Sequence, residues 1–115
     1  MESILTSVKK ICGIAEEYEA FDVDIIMHIN SVFMILYQMG VGPSSSAFRI
    51  KDKSAVWSDF FPETDPNYES VKSYVSLRVR LFFDPPTSST HIECMKQLVS
   101  ELEWRLYTET ELESR

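Results

Sequence analysis

FDVDIIMHINSVFMILYQM, residues 21–39, decides how the rest of the chain is read. At about 100° per residue, Ile25, Ile26, Ile29, Val32, Phe33, Ile35, Leu36, Tyr37 and Met39 cover most of a helix circumference. Asp24, Ser31 and Gln38, seven residues apart, leave only one narrow polar seam. A helix apolar on so many sides needs neighbours around it, so the stretch predicts the centre of a helical packing unit. A membrane span is disfavoured, because His28, Asn30, Ser31 and Gln38 interrupt the roughly 20 apolar residues that a bilayer requires.

Upstream, residues 3–12 predict a short amphipathic helix with Ile4, Leu5, Val8 and Ile11 on one side and Gly13 where a left-handed residue would stop it. Residues 15–20 read as an acidic connector. Asp22 is expected to cap the long helix, with Phe21 and Ile26 as a hydrophobic staple. Downstream, Gly40, Gly42, Pro43 and the serines 44–46 end that helix. Over residues 47–61, Phe48 and Ile50 alternate with Arg49 and Lys51, and Ala55, Val56, Trp57, Phe60 and Phe61 follow. That pattern predicts an extended arm leading into a single helical turn.

Asp65 and Pro66 form a cap and first-turn pair opening a helix to about Phe83, where Asp84, Pro85 and Pro86 break it. A last helix begins between Thr87 and Thr90, with Thr90 and Glu93 as a capping box and Ile92, Met95, Val99, Leu102 and Leu106 as one apolar stripe. The expected fold is all-α: three principal helices, a short N-terminal helix, and an irregular arm between helices two and three. Residues 1–115 make one domain, with about 108–115 as a flexible acidic tail.

Composition narrows the function. Hydrophobic residues at 44% beside 25% charged exclude wholesale disorder. Asp and Glu number 18 against 11 Lys and Arg, a net charge of −7, which argues against phosphate-backbone binding and suits solubility or basic partners. Cys12 and Cys94 lack zinc-ligand or disulfide-framework spacing and read as reduced, mostly buried thiols of a cytosolic protein. The start, MESILTSVKKICGI, lacks the basic and apolar regions of a signal peptide.

Candidate functional residues are few. Trp104 falls on the side of its helix opposite the apolar stripe, and Tyr107 follows it one turn on. Outward aromatics of this kind are enriched at protein interfaces; the alternative is that another element of the chain covers that side. Arg78 falls among Val71, Tyr74, Val75, Leu81 and Phe82, away from the polar side made by Glu69, Ser73, Ser76, Arg80 and Asp84. A guanidinium there snorkels or pairs inside the chain, which is the favoured reading, or meets another subunit.

Asp24 and His28, at i and i+4, offer two ligands where a metal site needs more, so no metal is expected. The serines at 44–46 lack the nearby base of an activated nucleophile, and Gly40-Val41-Gly42 is no phosphate loop. Glu101, Arg105 and Glu109 are spaced for surface pairs. No catalytic residue and no cofactor is assigned, and the protein is expected not to be an enzyme.

The parts SVKKICGI, FDVDIIMHINSVF, FRIKDKSAVWSDFF, SVKSYVSLRVRLFFDPP and ECMKQLVSELEWRL, in this order, resemble the small head-tail connector proteins of tailed bacteriophages over nearly the whole chain. The VKKICGI start, the acidic step into helix two and the DPP break are similar to prophage-type members. The resemblance implies a helical head-completion adaptor, a homo-oligomeric ring beneath the portal. Its implied partners are the portal protein and a tail or stopper protein, with neither sequence-specific nucleic-acid binding nor a membrane. Its implied place is the virion, and the bacterial host cytoplasm during assembly. The competing reading from another class is a small acidic cytosolic interaction or regulatory module that recognises a basic partner. An enzyme using a carboxylate pair is the least supported.

Overall fold

The computed structural model describes residues 2–43, 45–83, 85 and 87–113. Within these the chain is all-α, with helices α1 (Ile4–Ile11), α2 (Asp22–Gln38), α3 (Trp57–Phe60), α4 (Tyr68–Phe83) and α5 (Ser89–Glu113). Parts of two expected breaks, at Ser44 and at Asp84 and Pro86, lie outside the described residues, as does the end of the tail at 114–115.

Local chemistry explains the helix ends. Ser3 Oγ accepts the Thr6 N–H at 3.3 Å at the start of α1. At its other end Gly13, at φ 76°, donates to Lys10 O while Ile14 donates to Lys9 O, closing a Schellman motif. The same motif ends α2: Gly40 takes φ 83°, its N–H meets Tyr37 O, and Val41 N–H meets Leu36 O at 2.8 Å.

Several expected boundaries move by a residue or more. Asp22 is the first helical residue of α2 rather than its cap; Phe21 holds the cap position without a side-chain hydrogen bond. Asp65 Oδ1 accepts the Asn67 N–H at 2.8 Å, so Asp65 and Pro66 build a turn that precedes α4 instead of its first turn. Ser88, not Thr90, caps α5 by accepting the His91 N–H. The α5 backbone stays helical through Glu113 rather than stopping near Tyr107.

Helix α4 lies at the centre, packing against α1, α2 and α5. Val71, Tyr74, Val75 and Val79 are its buried face, meeting Ile25, Ile29, Val32, Phe33 and Leu36 of α2 and Ile4, Leu5 and Val8 of α1 in one core. The α5 stripe is as expected: Met95, Val99 and Leu106 are buried, and Ile92 and Leu102 half-buried. Ser76 is buried as well, correcting its placement on the polar side, since a small hydroxyl fits where α4 has neighbours on several sides.

The most apolar helix is not the most enclosed. Val23, Met27 and Met34 are 76%, 59% and 45% exposed, so the outer side of α2 is open and the expectation of a fully wrapped helix is corrected. Ile11 and Cys94 also lie at the surface, against the expected inward placement of both.

The arm carries no regular secondary structure over residues 47–51 and, as expected, enters one helical turn at α3. Asn30 fastens it to α2: its Oδ1 accepts the Ile50 N–H at 2.8 Å and its Nδ2 donates to Ile50 O at 3.1 Å, as a neighbouring strand would. The arm then crosses α1, where Ile4 N–H donates to Ala55 O and Ser3 bridges Val56. Trp57, buried, donates its indole N–H to Ser7 Oγ at 3.1 Å and locks the turn onto α1.

Candidate protein-interaction surfaces

Trp104 is 67% exposed, and Tyr107 is exposed beside it on the side of α5 turned away from α4. The helical stripe directs both outward, as the sequence periodicity implies. Arg78 is half-buried and pairs within the chain. Its Nη1 donates to Glu103 Oε2 at 3.2 Å, and the Tyr74 hydroxyl donates to the same oxygen at 2.8 Å, joining α4 to α5. The guanidinium also lies over the Tyr74 and Phe82 rings. Burial, then the bond to Glu103, raises the Tyr74 phenol far above its ordinary range, because a phenolate there would be desolvated and face a carboxylate.

Three arrangements escaped the sequence reading. Lys9, 2% exposed, turns its ammonium inward to donate to Glu16 O at 2.9 Å and Tyr18 O at 2.7 Å. Asp22 Oδ1 stands 2.8 Å away, outside hydrogen-bonding geometry, and supplies the countercharge. Lysine at an apolar-stripe position of a short helix was the available signal, but it does not reveal that the following connector folds back over it.

The second is a row of rings at the far end of α4. Tyr18 meets Phe21, Phe21 meets Phe83, and His28 contacts Phe83 and stacks on Phe82, with centroids 5.3–6.3 Å apart. Tyr18, Phe21 and Phe82 all reach solvent. His28 is therefore part of an aromatic surface. The third is a groove of about 390 Å³ between the open side of α2 and the arm, lined by Met27, Asn30, Ser31, Met34, Ala47 and Arg49.

No group of three or more metal-ligating side chains occurs among the described residues, and none of their helices is long and apolar enough to cross a membrane. Methionines exposed on one helix and an indole on another are apolar groups of the kind that occur where proteins meet other proteins. The particular family follows from comparison: the phage connector protein family matches residues 4–113, and the chain belongs to that family of phage structural proteins. Comparison with curated proteins and with solved structures returns no match.

Proposed function

We propose that the protein is a head-tail connector subunit that assembles into a ring beneath the portal and links the filled capsid to the tail. The family match over residues 4–113 carries this reading. The surface supports it in kind: a ring subunit needs two lateral faces and two axial ones, and exposed apolar groups occur on more than one element, Met27 and Met34 on α2, Trp104 and Tyr107 on α5, and Phe82 at the end of α4. Trp104 and Tyr107 are the interface residues on α5, whereas Arg78 serves an interface by holding α5 in place through Glu103. A net charge of −7 suits a channel wall that repels DNA phosphates, so that the genome slides past. The partners are the portal protein above and a tail or stopper protein below. The site of action is the neck of the virion, reached from the host cytoplasm.

Reconstitution with the portal protein of the same phage tests this. Mass photometry and electron microscopy of the mixture should show an added ring of this chain on the portal. A portal that stays bare at saturating concentrations of a folded chain overturns the proposal.

A further inference from the structure

The groove between α2 and the arm has chemistry that selects its occupant. Met27 and Met34 form one wall, and Ala47 and Arg49 the other. Both amide atoms of Asn30 are committed to Ile50, so the spacing of the walls is set before anything binds. Thioether sulfurs make favourable contacts with aromatic rings, and a guanidinium gains most over an indole. A groove offering both is fitted to an aromatic side chain, tryptophan above all.

Trp104 is the most exposed aromatic ring among the described residues. Charge matches as well. Arg49, Lys51 and Lys53 of the arm are all exposed, while Asp52 is turned onto Ser54. Of the six glutamates in the α5 sequence, Glu101 is paired with Arg105 and Glu103 with Arg78, which leaves four against Lys96. An aromatic knob on an acidic helix thus faces a methionine groove beside a basic arm, whereas like faces would repel. Helices α2 and α5 both pack on α4, which leaves the outer side of each open for a different neighbour.

We infer that Trp104 of one copy seats in the Met27–Met34–Arg49 groove of the next, joining copies head to tail. The knob and the groove are different surfaces, so the contact is heterologous and propagates around a ring. This inference rests on the ring reading above and supplies its lateral contact.

Sedimentation velocity on Trp104→Ala and Met34→Glu, free and loaded on the portal, tests it in whichever state the wild type associates. Circular dichroism checks that both exposed-site variants fold. Each alone should lose self-association by roughly 30-fold or more, as hot-spot removal does. Mixed in equal amounts they should form pairs and stop there, since one intact tryptophan and one intact groove remain. Assembly that ignores both changes, or a mixture that never pairs, overturns the groove contact while the ring reading stands. A wild-type chain with no self-association, free or on the portal, overturns both.

Discussion

The Lys9 ammonium and the Asp22 carboxylate stand 2.8 Å apart, tying α1 to the first residue of α2 across the connector between them. The lysine side chain is only 3% exposed there. Its two hydrogen bonds satisfy the Glu16 and Tyr18 carbonyls, so one cation sets the path of the connector. Lys9→Met keeps the stem but removes the charge, leaving a carboxylate without its partner and two carbonyls without a donor. The expected loss is about 3 kcal/mol. Urea denaturation with an unchanged midpoint would refute this role.

Tyr74 predicts an alkaline weak point. Its phenol titrates above the ordinary value of 10.0 in the fold, so the neutral form is the one the fold favours. That stability is complete below pH 10 and declines as pH rises through the folded value. Melting temperatures from pH 8 to 11 should fall for the wild type. Tyr74→Phe should cost about 1 kcal/mol at pH 8 and flatten the alkaline slope. Equal slopes in the two proteins would sink the assignment.

Gly42 and Gly13 share positive φ but not surroundings. A Cβ at Gly42, φ 93°, would stand 2.6 Å from the Phe60 ring, whereas one at Gly13, φ 76°, meets nothing within 4 Å. Gly13→Ala should therefore cost only the conformational penalty of about 1–2 kcal/mol. Gly42→Ala adds a clash with a buried ring and should lose more, by roughly 1–3 kcal/mol. Chemical denaturation of the pair decides it, and equal losses would show that Phe60 yields freely.

Val99 and Trp104 should respond in opposite ways. Val99 is 4% exposed in the α5 stripe, so Val99→Asp buries an unpaired charge and should prevent folding, read as loss of the cooperative melt. Trp104→Ala should leave the stability of the single chain within about 0.5 kcal/mol. A loss of several kcal/mol at Trp104 would make it a core residue.

The sequence by itself determined what repeats along one element. The 3-4 spacing from Ile92 to Leu106 fixed the buried side of α5 and sent Trp104 outward, and alternation at Phe48–Lys51 marked the arm. Gly13 and Gly40 marked helix ends, because only glycine takes positive φ without strain. The resemblance of the ordered parts to connector proteins agrees with the family that matches residues 4–113.

Tertiary structure decided how many neighbours each side received. Helix α2 is the more apolar, yet α4 holds the centre, because Arg78 is neutralised by Glu103, and Lys72 by Glu2 at 2.9 Å, so charges on α4 cost little where α1 and α5 approach. The surplus apolar surface of α2 was left as a groove by the arm crossing beside it. Lys9 could be buried only because the connector turned its carbonyls inward. Periodicity gives the direction of a side chain about its own axis; partners from distant parts of the chain decide whether that direction ends in core, in an ion pair or in solvent.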